Sequence, residues 1–465
     1  MSKPSIPKGT RDFGPTAMAR RQWLFDTLRG VFEKHGFVPI QTPSFENLST
    51  LTGKYGEEGD QLIFKILNNG DYLAKADEGL LASKNSKALT ASISKKALRY
   101  DLTVPFARFV VMQRNELTFP FKRYQIQNVW RGDRPGKGRY QEFTQCDCDI
   151  IGTESTLAEL ELVQIFHEGL SALGVPGFRI AINDRRILQA LSEVSGVPAS
   201  SFTDWTVAVD KLDKVGLEGV AREFESRGIP GSAMAMIENL LDIRKASDAH
   251  AALGQMAELL GAGENATQAL QELEDLVCRA KRAGVPERNL HVDPLLARGL
   301  DYYTGAIFEV VVEGAPVGSI CGGGRYADLT GIFGWKGVSG VGVSFGADRI
   351  EDVLNHVDGW PALSNVGLDV MVAQMESGDV KAELAAAQAC RQAGLSSELY
   401  PDSAKFKKQF KYANDRGVRW VMVLGEDERA SGVVSLKDMA EGHQDQLPLA
   451  EAIAKIQASS AGFID

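Results

Sequence analysis

Cysteine is scarce in this chain of 465 residues: five, an odd number, at Cys146, Cys148, Cys278, Cys321 and Cys390. That count and scatter favour a reducing compartment and no disulfide framework. No apolar run approaches the roughly 20 residues that a membrane helix needs, so no membrane partner is expected. The start, Met1-Ser2-Lys3-Pro4-Ser5-Ile6-Pro7, lacks the apolar core of a secretory signal, and a cytoplasmic location is the expectation. P-loop and dinucleotide fingerprints are missing too, because no Gly-Lys-Ser/Thr follows the glycine-rich segments and their glycine spacing is wrong. Positive charge is in deficit, with 51 Lys and Arg against 61 Asp and Glu and a net charge of −10. A generic nucleic-acid coat is thereby disfavoured, although local patches rather than the sum decide binding.

What is present is the composition of a soluble globular protein, 44% hydrophobic and 24% charged. The length exceeds one ordinary core and predicts two or three domains. Thr16 to His35 has helical apolar spacing (Leu24, Leu28, Val31, Phe32), and Gly36 is its stop. Phe37 to Ile40 reads as a strand, and 68–96 as a polar surface insertion. From Ala97 to Ile151 short apolar runs alternate with charged turns, as in an antiparallel sheet, most clearly at 124–130 and 143–151. About Ser192 to Gly284 is nearly all helical, and strands resume at 307–312 and 338–345. After a break at Asp358-Gly359-Trp360-Pro361, a β-α-β-α-β order predicts a small α/β domain with a largely parallel sheet. The divisions are 1–190, 191–285, 286–360 and 366–465.

Several clusters carry chemistry. Arg298-Gly299-Leu300-Asp301-Tyr302-Tyr303 sets a cation and two phenols on a turn feeding the strand at Ile307, a pocket floor for a small polar ligand beside an anion. Arg131 and Arg139 flank a basic hairpin loop containing Arg134-Pro135-Gly136-Lys137-Gly138. Two guanidinium groups there could clamp a polyphosphate, and an ordinary charged hairpin explains the loop equally well. Gln145, Asp147 and Asp149 share one strand face, with Cys146 and Cys148 on the other; the polar face lines a cleft or meets solvent. Asp101 and Thr103, read as one face of a short strand, could receive an ammonium group or merely cap that strand. Cys321 to Tyr326 and Gly340 to Arg349 are glycine-rich, letting a ligand approach the backbone or packing tightly; Arg349 opens a helix. Lys405, Lys407, Lys408 and Lys411 interleave with Phe406, Phe410 and Tyr412: an RNA contact, a solvated helix face with buried aromatics, or both.

Together these residues resemble the histidyl-tRNA synthetase family of class II aminoacyl-tRNA synthetases across nearly the whole chain. Phe37 to Phe45, Arg131 with its loop, and Gly342 to Arg349 are similar to the three class signatures. Arg298 to Tyr303 and Gly322-Gly323-Gly324-Arg325-Tyr326 resemble the two histidine-specific ones. The resemblance implies an α+β catalytic core (1–190 and 286–360) built on an antiparallel sheet flanked by helices, a helical insertion (191–285) and a C-terminal α/β anticodon-binding domain (366–465). It implies ATP-dependent attachment of L-histidine to tRNA(His) through histidyl-adenylate. Asp101, Thr103 and Gln145 would hold the α-amino group; Asp149, Tyr302 and Tyr303 would select the imidazole. Arg131 would grip the α-phosphate, Arg139 and Arg349 the outer phosphates, and Arg298 would stabilise charge at the reacting phosphorus. Mg2+ is expected on the β- and γ-phosphates, with no protein metal ligands identified. Lys405 to Tyr412 would face tRNA, and a homodimer is implied. The insertion 71–96 is longer than the family pattern and has no assigned role. Two other readings use the same fold without catalysis: a silent paralogue, such as the regulatory subunit of ATP phosphoribosyltransferase, and an RNA-binding or sensor module.

Overall fold

The structure is a computed structural model and describes residues 3–261, 263–297, 302–361, 367–375 and 380–461. The chain forms two compact units, Met1–Phe13 with Arg20–Trp360, and Gly14–Ala19 with Pro361–Asp465.

In the first unit the strands run β1 (Val38–Pro39), β2 (Phe45–Asn47), β3 (Lys65–Ile66), β4 (Lys96–Leu98), β5 (Phe121–Trp130), β6 (Glu142–Ile151), β7 (Phe178–Asp184), β8 (Leu290–Val292), β9 (Ala306–Val312), β10 (Cys321–Tyr326) and β11 (Gly340–Gly346). Eight form one sheet in the order β1-β5-β6-β11-β10-β9-β7-β8, and β2-β4-β3 make a small antiparallel sheet. All central pairings, from β5 to β7, are antiparallel; the edge strands β1 and β8 join in parallel. Period-two alternation gives β6 its two faces. Cys146 and Cys148 enter the apolar core with Leu28, Phe166 and Phe345, while the opposite face carries Gln145, Asp147 and Asp149.

The helix Pro15–Lys34 has proline in its first turn and buries Leu24, Leu28, Val31 and Phe32; Gly36 leaves it at φ +75°. The helices between Phe202 and Arg282 share one continuous apolar core with the sheet, from Trp205 and Leu240 to Ile180 and Phe308.

Two expectations need correction. Asp101 and Thr103 do not lie on a strand: β4 ends at Leu98, and Thr103 opens the helix Thr103–Gln113. Pro105 sits in that helix's first turn, where its missing N–H costs nothing, and Val104, Ala107 and Val110 are buried at helical spacing. In the second unit β12 (Val370–Val372) lies parallel to β13 (Ser397–Leu399) and to β14 (Trp420–Val423). Beyond them, β15 (Val434–Asp438) and β16 (Gln444–Leu447) run antiparallel, so the sheet is mixed. The last strand, Gln-Asp-Gln-Leu, is too polar and short to announce itself.

Candidate active site

The polar face of β6 opens into a cavity of about 690 Å3. Its walls include Asp101, Thr103, Gln145, Asp149, Tyr302, Tyr303, Arg131, Arg139 and Arg349, residues that the sequence scatters over 250 positions. Arg298, with Gly299 to Asp301, lies outside the described residues. Lys405, Lys407, Lys408 and Lys411 belong to the second unit. There Lys405 and the helix Phe406–Asp415 expose all four lysines while Phe406, Phe410 and Tyr412 pack on that unit's core, the arrangement of a solvated helix face with packed aromatics.

Strand register builds the cavity. Arg123 on β5 and Gly342 on β11 flank Asp149; Gln125 and Ser344 flank Asp147. Arg123 is fully buried, its guanidinium 2.7 Å from the Asp149 carboxylate and stacked over Phe106 at 4.3 Å. Its N–H groups are not aimed at that carboxylate, so the attraction is coulombic rather than a formed hydrogen bond. Tyr326 O–H donates to Asp149 at 2.9 Å. Burial raises the Asp149 carboxyl above the usual range, and Arg123 and the Tyr326 bond pull it back. Burial also lifts the Tyr326 hydroxyl, which therefore stays a donor.

The glycines now have a specific job. A Cβ on Gly342 would overlap the Asp149 carboxylate, one on Gly340 the Tyr326 ring, and one on Gly324 would sit 2.8 Å from the Tyr303 ring. They are absent side chains that let the acid and the phenols reach the pocket.

Asp101 accepts from Tyr55 O–H at 2.8 Å and from the Val104 N–H at 3.2 Å, an anchor at the start of its helix. Burial raises its carboxyl, opposed first by the Tyr55 bond and then by Arg131. Gln145 donates to Ser344 at 2.9 Å, while its carbonyl oxygen has no hydrogen-bond partner among the described residues. Asp147 is only 2% exposed, and one of its oxygens is likewise unmatched. Burial pushes its carboxyl up to about 7; Arg123 opposes the rise and Asp149 adds to it.

On the anion side, Arg131 donates to the Tyr100 carbonyl at 3.1 Å and stacks on the Tyr100 ring at 4.3 Å. Arg349 donates to the Gly138 carbonyl at 3.1 Å, tying its helix to the hairpin loop. That helix is fixed by Asp348, which accepts from Arg21 at 2.8 Å and from the Thr144 N–H at 2.7 Å. One end of the cavity thus collects carboxylates and phenols, and the other collects guanidinium groups.

Sequence reading missed Arg123, Tyr55 and Ser344, and also Asp210, Asp213 and Lys214, which reach the cavity wall from the helical segment. Arg123 was detectable: counting back across the hairpin from Trp130 opposite Glu142 puts it opposite Asp149.

A family model described as "Histidyl-tRNA synthetase" matches residues 9–75 and 87–350, and one described as "Anticodon binding domain" matches 369–459. The "Histidine--tRNA ligase" of Porphyromonas gingivalis is 50% identical over 448 residues, covering 96% of this chain and 98% of that protein. The protein of the same name from Cytophaga hutchinsonii is 46% identical, covering 98% and 100%. The crystal structure of a histidyl-tRNA synthetase from Nostoc sp. superposes with a TM-score of 0.81 at 29% identity, covering 99% and 100%.

Proposed function

The chain belongs to the histidyl-tRNA synthetase family, and on that premise we propose how its own side chains divide the work of histidine–tRNA ligation. The protein attaches L-histidine to tRNA using ATP, through histidyl-adenylate. A carboxylate oxygen of histidine attacks the α-phosphorus of ATP and diphosphate leaves. The 3′-terminal adenosine hydroxyl of tRNA then attacks the activated carbonyl, and AMP leaves. Neither step needs a covalent enzyme intermediate, so catalysis is alignment and charge stabilisation.

The observation that carries the assignment is the two-ended cavity. Asp101, Thr103 and Gln145 hold the α-ammonium, and the unmatched Gln145 carbonyl is an acceptor ready for it. Asp149, held by Arg123 and Tyr326, accepts from the imidazole beside Tyr302 and Tyr303. A wrong side chain would leave these buried groups unpaired, which is the strong form of selection. Arg131 holds the α-phosphate, and Arg139 and Arg349 the outer phosphates. No group of three or more His, Cys, Asp or Glu among the described residues is placed to hold a metal ion. Mg2+, expected with ATP, would enter on its β- and γ-phosphates. The lysines at 405, 407, 408 and 411 face the anticodon arm of tRNA(His), the exposed Val38 and Phe45 (47% and 48%) support a homodimer, and the setting is cytoplasmic. Light scattering should return twice the 50.5 kDa chain mass; a monomer at micromolar concentration refutes the dimer.

Histidine-dependent ATP–pyrophosphate exchange tests the whole reading. Exchange with histidine and with no other amino acid is expected, and none from pure protein would favour a silent paralogue or a sensor module.

Asp147 supplies a pH prediction. A bound ammonium favours its ionised form, so KM for histidine should fall as pH rises from 6 to 8. Asp147→Asn should flatten that slope. The same raised carboxyl contributes stability that is lost as pH rises through about 7, so Asp147→Asn should also melt higher than wild type at pH 8. An unchanged KM slope in the variant would remove Asp147 from substrate binding.

A further inference from the structure

The family match skips 76–86, and the chemistry changes around that gap. From Gly79 to Tyr100 there is no Asp or Glu, in a chain that holds 61 of them, yet the stretch carries Lys84, Lys87, Lys95 and Lys96. Lys75, Lys84, Lys87 and Lys95 are all exposed.

The segment is built rather than loose. The helix Glu78–Ala82 is capped by Asp77, which accepts from the Leu80 N–H at 2.8 Å, and buries no residue. The helix Ser86–Ile93 is capped by Asn85, which accepts from the Ala88 N–H at 3.1 Å, and buries only Leu89. Asn68 staples the two limbs, donating to the Ser92 carbonyl at 2.9 Å and accepting from the Lys95 N–H at 3.1 Å. Two capped helices that bury almost nothing do little for the core, and their order serves the surface they display.

The roots of this arm bracket Arg131. Before β3, the Leu62 carbonyl accepts from the Gly132 N–H at 2.7 Å; after β4, the Arg99 carbonyl accepts from the Trp130 N–H at 3.0 Å. The arm thus springs from two segments bonded to the base of the hairpin, next to Arg131 in the cavity wall.

We propose that the 68–96 arm is a tRNA-contacting surface, its exposed lysines meeting backbone phosphates of the acceptor end as the 3′ terminus enters the cavity. The proposal rests on the reading of the cavity as the charging site. Charge complementarity selects the partner: five lysines (75, 84, 87, 95 and 96) against three acids (Asp71, Asp77 and Glu78) give the arm a net positive, serine-rich surface on a chain of net charge −10, which fits a polyanion whose end must enter the neighbouring cavity. Such contacts position without reading sequence. Exposed Leu67, Tyr72, Leu73 and Leu81 leave a protein contact as the competing occupant.

The test is the triple variant Lys84→Ala, Lys87→Ala, Lys95→Ala, assayed with tRNA(His) transcript over a salt series. Pyrophosphate exchange should stay within twofold of wild type, since no catalytic group changes. KM for tRNA should rise about tenfold. The dependence of log affinity on log salt should lose a slope of about 2 to 3, each phosphate contact being worth roughly 0.7–0.9. Intact exchange with unchanged tRNA KM and slope overturns the proposal. So does unchanged charging in the lysine variant together with weakened self-association in Leu73→Ser, Leu81→Ser, which gives the arm to a second copy of the chain. Wild-type protein inactive in both assays would instead sink the enzyme reading beneath it.

Discussion

Arg298→Ala should lower adenylate formation at least ~100-fold, the scale of losing one preorganised charge donor. As the histidine carboxylate approaches the α-phosphorus, negative charge builds on the phosphoryl oxygens. Arginine fits the task, being planar, always charged and able to donate twice to one phosphoryl group. Arg131, held by its Nε–H on the Tyr100 carbonyl and by stacking on that ring, is already assigned to the α-phosphate in the ground state, so the charge that develops at the reacting centre calls for a second guanidinium. Arg298 itself lies outside the described residues, and the expectation rests on this charge argument and on family membership. Single-turnover adenylate formation should fall while the dissociation constant for histidine and the melting temperature hold. Wild-type exchange in the variant would remove the role. A fall accompanied by unfolding would make Arg298 structural, and Arg298→Lys restoring the fold but not the rate would return it to chemistry.

The sequence made some of this architecture readable and hid the rest for identifiable reasons. The polar face of β6 was legible because period-two alternation is local: Gln145, Asp147 and Asp149 cannot point elsewhere once the strand is granted. The basic hairpin was legible from its own composition. The setting of Asp101 is hard to read locally, because the β-branched Thr103 and Val104 suit a strand while Pro105 suits the first turn of the helix that forms. Tyr55 and Ser344 join the pocket through register and helix placement between segments 46 and 199 residues away from their partners, which no local pattern encodes. The glycines of β10 and β11 advertised close approach, but of what to what depended on the neighbouring strand. The lysine arm was read as an insertion without a role. Its position beside Arg131 is set by two backbone hydrogen bonds that leave no mark in composition.

Arg123→Leu should be the most damaging change to histidine selection, raising KM for histidine by about 100-fold or more and lowering the melting temperature. Removing one partner of a buried ion pair leaves the other uncompensated, at about 3–5 kcal/mol. Asp149 is that other partner, 2.7 Å away and 2% exposed. Burial already lifts its carboxyl, and Arg123 is the largest opposing influence, so without Arg123 the value climbs further. Asp149 would then keep its proton and become a donor where the imidazole N–H needs an acceptor. The sign of the pH response follows. The folded value moves further above the unfolded one, so the variant should lose more stability than wild type as pH rises above the ordinary carboxylate range. Its histidine KM should partly recover at alkaline pH, as Asp149 is forced to ionise. Adding Asp149→Asn separates the two effects: with neither charge of the pair left, the double variant should regain stability without regaining discrimination between histidine and its isosteres. If Arg123→Leu instead melts like wild type and keeps its histidine KM at pH 7, the buried pair does not govern selection, and the imidazole is chosen by the phenols alone.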